Sequence, residues 1–191
     1  MQKQTITRVR EVIQVILSYI KIDSMEAMGK ISAQPESAGQ ELVIERVFDL
    51  PINKVWQAWT HPESLKKWWG PRGYTCPSSS MDFRIGGKYL SCMRSPEGED
   101  TWSTGIYKEI DPYKKLVFTD SFSDKKGNLL PASAMNMPGE WPLELLVTIV
   151  FKDEYPKTRM VLQHTGIPPE MQEDCITGWN ESFDKLEENI E

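Results

Sequence analysis

The chain has 191 residues, of which 39% are hydrophobic and 26% charged, and its formal net charge is −6. This length predicts a single domain that can bury roughly 70% of the surface its unfolded form exposes. Nucleic acid and anionic membrane surfaces are excluded as expected partners. Both are bound through clustered Lys and Arg, and the sequence has no such cluster.

Residues 1–40 are predicted to be a helical extension followed by a linker, and residues 41–191 to be the folded domain. The segment 31–40 is polar and contains Pro and Gly, as linkers do. The apolar run 12–20 resembles a weak signal peptide, but no clear cleavage site follows it, and a membrane span needs about 20 residues. An amphipathic helix is the favoured interpretation, with an apolar face formed by Val9, Val12, Ile13, Ile16 and Ile20.

One strand and two short helices are predicted at the start of the domain. The segment 41–50 (ELVIERVFDL) is rich in β-branched and apolar residues, which favours a strand. Pro51 begins a helix whose apolar face carries Val55, Trp56 and Trp59. Thr60 is predicted to be the N-cap of a second helix, because Glu63 occupies the capping-box position. The apolar face of that second helix is formed by Leu65, Trp68 and Trp69.

Four strands joined by tight turns are predicted next, over residues 74–83, 88–94, 101–109 and 115–122. Gly86-Gly87 is interpreted as a two-residue hairpin loop, which would place Met81 opposite Cys92. Cys76 would then lie about five residues, or roughly 16 Å, from the residue opposite Cys92. The three cysteines include no CxxC pair, so we expect reduced thiols, no zinc site and a cytoplasmic location.

The segment 123–141 has no clear period and is long for a loop inside a compact domain. One interpretation is a lid over a ligand site, in which Met135 and Met137 provide adaptable apolar cover. The alternative is a solvated insertion that is pinned to the sheet edge by Leu129, Leu130 and Trp141.

Two strands (143–152 and 158–165) and a long C-terminal helix complete the prediction. The helix follows Pro168-Pro169, and its apolar stripe has helical spacing. The stripe consists of Met171, Cys175, Trp179, Phe183, Leu186 and Ile190. Strands that are segregated from helices in this way are typical of an α+β fold rather than of a parallel doubly wound sheet.

Six segments then resemble a known group of proteins. They are VWQAWTHPESLKKWWGP (55–71), MDFRIGGKY (81–89), TGIYKEIDPYKKLVFTD (104–120), LVTIVF (146–151), LQHTGIP (162–168) and GWNESFDKLEENI (178–190). Together they cover residues 41–191 and resemble the SRPBCC superfamily, the START-like or helix-grip proteins. Within it, they are most similar to the branch named after the activator of the heat-shock chaperone ATPase.

The resemblance implies a curved antiparallel sheet of six to seven strands that is wrapped on the C-terminal helix, with a cavity between them. In relatives such cavities hold lipids, sterols, polyketides or plant hormones, and a minority of relatives are enzymes such as aromatase/cyclases. The side chains expected to line the cavity here are Trp69, Tyr89, Trp102, Tyr107, Phe118, Trp141, His164, Trp179 and Phe183. Trp68 and Trp69 point about 100° apart on a helix, so at most one of them faces the cavity squarely; the alternative is a structural corner.

His164 is the candidate polar group of the cavity. A neutral imidazole near the end of the last strand could orient a ligand carboxylate or hydroxyl, or act as an acid or base. The alternative is a structural histidine that is bonded to backbone or to Asn180. Asp120 and Asp82 are weaker candidates for a neighbouring carboxylate.

The leading functional hypothesis is non-catalytic binding of a small hydrophobic or amphipathic molecule. A cyclase or hydratase that uses His164 is the second hypothesis, and an interaction protein for a chaperone ATPase is the third and least favoured. No metal, cofactor or membrane span is predicted, and a homodimer packed through the N-terminal helix is left open.

Overall fold

In the computed structural model, which describes residues 41–190, the chain forms seven strands, three α-helices and two short 3-10 helices. The strands are β1 (Leu42–Phe48), β2 (Thr75–Met81), β3 (Lys88–Arg94), β4 (Asp100–Asp111), β5 (Lys115–Ser123), β6 (Leu145–Glu154) and β7 (Lys157–Thr165). The α-helices are α1 (Ile52–Thr60), α2 (Pro62–Leu65) and α3 (Gln172–Asn189), and the 3-10 helices span Ala132–Met135 and Pro169–Met171.

All seven strands form one antiparallel sheet in the order β1-β7-β6-β5-β4-β3-β2. Adjacent strands are also neighbours in the sequence, with the exception of β1, which pairs with β7 and places Leu42 opposite His164. This curved sheet with a long C-terminal helix confirms the predicted α+β helix-grip fold.

The concave face of the sheet and the C-terminal half of α3 form the apolar core. Phe183 and Leu186 are fully buried, and the Phe183 ring meets the edge of Phe48 at a centroid distance of 5.9 Å. Trp68 is also fully buried, and its indole N–H donates to the carbonyl of Ala58 at 3.0 Å. Each such side chain contributes on the order of 1.5–3 kcal/mol through burial, so this half of α3 fixes the helix on the sheet.

Polar contacts hold the outer face of the same helix. Arg46 of β1 donates to Asp184 at 2.6 Å and to Glu187 at 3.2 Å. Arg72 pairs with Glu188 at 2.6 Å. The ammonium of Lys185 donates to the backbone carbonyls of residues 70, 71 and 74. Since those carbonyls belong to the segment after α2, Lys185 ties this segment to α3.

The predicted N-cap of the second helix is wrong. Thr60 is the last residue of α1, and its hydroxyl donates to the carbonyl of Trp56 at 2.9 Å. The helix α2 begins after His61, has no side-chain cap and is only four residues long. Because of this hydrogen bond, the Thr60 side chain turns back onto α1 and does not cap α2.

The predicted register of the β2–β3 hairpin is also wrong. Met81 pairs with Tyr89, and Ser78 pairs with Cys92. The connecting loop is longer than two residues because its backbone folds on itself and Gly86 donates to the carbonyl of Tyr107 on β4. Cys76 therefore lies only two residues along the chain from the partner of Cys92, and the predicted separation of about 16 Å does not hold. All three cysteines are free thiols.

The predicted N-terminal extension lies outside the described residues, so the domain boundary near residue 40 stays a prediction. The described fold belongs to a compact unit that spans Ala38–Glu191. Within the described part of the chain, no helix is long and apolar enough to cross a membrane.

Candidate ligand-binding pocket

A pocket of about 280 Å³ lies between the N-terminal half of α3 and the sheet. The helix contributes Cys175, Gly178, Trp179 and Ser182 to its wall. The sheet, the segment after α2 and the long loop before β6 contribute the remainder, which includes Trp69, Met93, Thr101, Ser103, Asp120, Ser121, Phe122, Met137, Trp141 and His164. The helix therefore serves as core at one end and as pocket wall at the other.

The pocket opens where two strands part. β5 pairs with β6 only as far as Asp120, which faces Leu145. Beyond that point β5 still pairs with β4 on one side, while on the other side the loop before β6 takes the place of β6. Ser121 and Phe122 follow Asp120 directly, and all three residues line the pocket. The pocket thus lies where β5 exchanges its β6 partner for a loop.

Gly178 keeps the helix side of this space empty. It lies in the interior of α3, where glycine is less favourable than alanine by about 0.8–1.0 kcal/mol. A Cβ atom placed there would meet no atom within 4 Å, so close packing does not require the glycine. Its effect is to leave room in the pocket.

Aromatic side chains form two walls of the pocket. Trp179 contacts Trp69 at a centroid distance of 5.5 Å, and Trp141 contacts Phe122 at 5.8 Å. The Trp141 indole donates to the carbonyl of Pro138 at 2.7 Å, which fixes its ring. Such walls suit an apolar or aromatic ligand body.

A polar cluster lies at the inner end of the pocket. Tyr89 donates its hydroxyl to one oxygen of Asp120 at 2.7 Å, and the other oxygen lies 3.7 Å from Nε2 of His164. On the far side of the ring, the Trp179 indole N–H donates to Nδ1 of His164 at 3.3 Å. Because an indole nitrogen can only donate, Nδ1 is the acceptor and the imidazole proton resides on Nε2. Burial lowers the pKa of His164, partly opposed by the charge of Asp120, which favours the neutral ring.

Two buried polar atoms of the pocket have no hydrogen-bond partner among the described residues. They are Nε2 of His164 and the hydroxyl of Ser121, which belong to residues that are 6% and 2% exposed. An unpaired buried group costs about 1–3 kcal/mol. These two groups mark the polar end of the pocket.

A separate void of about 20 Å³ lies deeper in the core, lined in part by Trp59, Tyr89, Tyr107 and Phe118. It has room for about one water molecule. Burial raises the pKa of both tyrosine hydroxyls. These rings therefore act as packed, neutral groups.

The sequence-predicted site residues thus fall into groups. Trp69, Trp141, His164 and Trp179 meet at the open pocket. Tyr89, Tyr107 and Phe118 surround the deeper void, which Trp69 also touches. Two predicted residues line neither space: Phe183 lies in the core, and Trp102, opposite Cys92 on β3, is half-buried.

The neighbours predicted for His164 are only partly those observed. Asp120 is beside the ring, whereas Asp82 pairs with Arg84 in the hairpin loop at 2.8 Å. Asn180 donates to the carbonyl of Ile176 and not to His164, and the ring partner is Trp179. The pocket residues missed from the sequence are Gly70, Pro71, Met93, Thr101, Ser103, Ser121, Phe122, Leu145, Gly178 and Ser182. The one available signal is Gly178, a glycine inside an otherwise regular helix.

The loop 124–144 borders the pocket through Met137 and Trp141. It is attached to β5, since Leu129 forms a bridge with Ser123 and Leu130 donates to the carbonyl of Phe122. Met135 lies in the 3-10 helix and does not line the pocket. A lid role for this loop stays a prediction.

A curved antiparallel sheet that grips a C-terminal helix over a side pocket defines a START-like, or helix-grip, protein. The model of one family, described as Activator of Hsp90 ATPase homolog 1-like protein, matches residues 49–191. The chain belongs to this family.

Solved structures agree with this assignment. A protein from Nitrosomonas europaea is 26% identical, with a TM-score of 0.61 over 78% of this chain and 92% of its own. One from Chromobacterium violaceum is 25% identical, with a TM-score of 0.63 over 78% and 94%. The AHSA1 protein from Silicibacter pomeroyi shares the fold at 23% identity, with a TM-score of 0.61 over 78% and 96%. No curated protein matched the chain.

Proposed function

We propose that the protein binds a small hydrophobic or amphipathic molecule in the pocket beside α3. The observation that carries the proposal is an open space with aromatic walls that ends in unpaired buried polar atoms. At about 280 Å³, it lies near the lower limit of roughly 300–1,000 Å³ that is typical of small-molecule sites. A compact ligand with an apolar body and one polar end fits this arrangement.

The tautomer of His164 favours binding over acid–base catalysis. Its Nδ1 accepts from Trp179 and its Nε2 carries the proton and faces Asp120, so the ring has no free lone pair. A general base needs a free lone pair within reach of the substrate. For His164 to act as the base of a cyclase or hydratase, Trp179 would have to release the ring first.

A chaperone-interaction role rests on the description of the family alone. It would need an exposed apolar or charged surface for the partner, whereas the feature that stands out in this fold is a pocket. Binding of a small molecule is accordingly the function that we put forward for this chain.

Filling the pocket from α3 tests the proposal. Gly178→Leu places a side chain in the space that the glycine leaves empty, and replacing a mid-helix glycine favours the helix. We expect the variant to stay folded and to lose binding of 1-naphthylmethanol, an uncharged aromatic probe, in isothermal titration calorimetry. Native mass spectrometry of the freshly purified wild type should in parallel detect a bound small molecule.

Thr177→Leu is the matched control, because it adds the same side chain to an exposed position on the neighbouring residue of the helix. It should bind the probe as the wild type does. Equal binding by Gly178→Leu and Thr177→Leu would place the probe elsewhere and refute the pocket as the site. Absence of saturable binding to the wild type, together with no co-purified molecule, would refute the function.

A further inference from the structure

The charge of the pocket points to the kind of polar end its ligand carries. Asp120 is the acidic residue of the wall, and its side chain is 21% exposed. It accepts a hydrogen bond from the neutral hydroxyl of Tyr89. The side-chain nitrogen that lies within 4 Å of it belongs to the neutral ring of His164. A mostly buried carboxylate that faces neutral donors lacks the countercharge that such groups ordinarily have.

No lysine or arginine is among the described residues that line the pocket. The nearby ammonium of Lys185 is already shared by three backbone carbonyls. Arg72 is held by Glu188 on the outer face of the helix. The described residues therefore leave the countercharge of Asp120 to be supplied from the pocket.

The aromatic walls are suited to a cation. Trp69, Trp179 and Trp141 line the pocket that contains the carboxylate. Indole faces are the strongest aromatic binders of ammonium groups, with about 2 kcal/mol or more gained where water is excluded.

The two chain segments that flank the pocket carry charge of one sign. Residues 128–151 and 160–184 contain Asp and Glu but neither Lys nor Arg. These segments include the loop residues Met137 and Trp141 and the pocket half of α3. A one-signed potential attracts ligands of the opposite charge and repels carboxylates.

We propose that the ligand of this pocket is an organic cation, such as a primary amine or quaternary ammonium on a compact apolar body. Its charged nitrogen is held by the carboxylate of Asp120 between the indole rings. The inference rests on the proposed function and adds the class of ligand. It makes Asp120 the residue that sets selectivity by charge, with the neutral ring of His164 lying 3.7 Å from the same carboxylate.

A set of three probes that differ in one group tests this inference on the full chain. They are 1-naphthylmethylamine, 1-naphthylmethanol and 1-naphthoate, each titrated by calorimetry at pH 7. A charge-assisted hydrogen bond together with cation–π contact predicts that the amine binds about tenfold to a hundredfold more tightly than the alcohol, and that the carboxylate binds most weakly. Asp120→Asn should abolish the advantage of the amine and leave the alcohol bound.

Asp82→Asn is the control, since it removes a carboxylate that is paired with Arg84 in the hairpin and lies outside the pocket wall; the amine should retain its advantage there. Equal affinity of the wild type for all three probes, or a preference for the carboxylate probe, overturns the cation inference and leaves the proposed function standing. If none of the three binds, the cation inference fails, and the proposed function fails with it if no small molecule co-purifies either. The comparison in the wild type decides the matter even if Asp120→Asn does not fold.

Discussion

His164 is a neutral donor because its ring is buried and because its Nδ1 accepts a hydrogen bond. The Trp179 indole occupies Nδ1, and Asp120 faces Nε2. Burial is the larger influence and lowers the pKa of the ring, while the charge of Asp120 acts in the opposite direction. Protonation would place a buried cation with one neighbouring carboxylate to balance it, so the fold favours the unprotonated form.

This environment predicts a specific dependence of stability on pH. In the unfolded chain His164 takes up a proton below about pH 6.5, whereas the folded chain resists that proton because its pKa is lowered. The contribution of the buried neutral ring to the free energy of unfolding is therefore complete above that pH. It declines as the pH falls toward the pKa of the folded state, by up to about 1.4 kcal/mol per pH unit. We expect the difference in unfolding free energy between wild type and His164→Gln to narrow from pH 7.5 to 5.

Urea denaturation at each pH measures that difference. His61→Gln is the control, because it makes the same substitution at an exposed position between α1 and α2 and removes no buried ring. A difference for His164→Gln that does not change with pH would contradict the assigned burial of the ring.

At the scale of elements, Lys185 makes three of the polar contacts that attach α3 to the segment that follows α2. The ammonium of Lys185 donates to the carbonyls of Gly70 at 2.8 Å and Tyr74 at 2.9 Å, with a longer contact of 3.4 Å to Pro71. Burial lowers the pKa of this lysine, yet the three acceptors satisfy its donors. The same segment supplies Trp69, Gly70 and Pro71 to the pocket.

We expect Lys185→Met to lower the free energy of unfolding by about 1.5–3 kcal/mol, because carbonyls that faced a charged donor lose it. The midpoint of chemical denaturation measures the loss. Arg72→Met removes a cation from an exposed pair on the same helix face, and exposed pairs contribute little, so its loss should be clearly smaller. Equal losses in the two variants would show that the carbonyl contacts of Lys185 contribute no more than surface charge.

The sequence predicted most elements because their patterns are local. Alternation and turn residues placed β3 at its observed bounds and the other strands within a few residues of theirs. The apolar stripe of α3 was equally predictable from its helical spacing. The β2–β3 register failed because it depends on a contact from outside the hairpin, the hydrogen bond from Gly86 to Tyr107 of β4. The Gly86-Gly87 dipeptide alone carries no information about a contact with the third strand, β4.

The pocket was less predictable than the fold for a similar physical reason. Aromatic and histidine side chains could be nominated by type and by resemblance, which is how Trp69, Trp141, His164 and Trp179 were found. The polar end requires knowing that β5 loses its β6 partner after Asp120, and the periodicity of a single strand carries no trace of that event. Trp102 and Phe183 were nominated by the same criteria of side-chain type and resemblance. The strand pairing of Trp102 and the helix face of Phe183 direct them away from the pocket.

At the scale of the whole molecule, we predict that residues 38–191 form a self-contained core. Its buried apolar residues run from Leu42 to Ile190, and the strands, the helices and their ion pairs fall between these limits. We therefore expect a protein that begins at Ala38 to unfold in one cooperative transition, as small domains do. Circular dichroism during thermal denaturation tests this expectation. A shortened chain without a cooperative transition would show that residues 1–37 supply part of the core.

The shortened chain also tests the homodimer that the N-terminal helix would mediate. Analytical ultracentrifugation of the full chain and of the chain from Ala38 should then give different oligomeric states. The same number of chains per particle in both samples would exclude that role for the extension.

The pairing of β1 with β7 has a consequence for how the molecule assembles. The other neighbouring strands are connected in sequence order, whereas Leu42 must meet His164 across the length of the domain. Closing a loop of roughly 120 residues costs about 3 kcal/mol more in chain entropy than closing a four-residue turn, and such distant pairings slow folding. We expect β1 to dock late in folding, after the hairpins between β2 and β7 have formed. The strand that carries His164 would then gain its second neighbour only as the chain completes its fold.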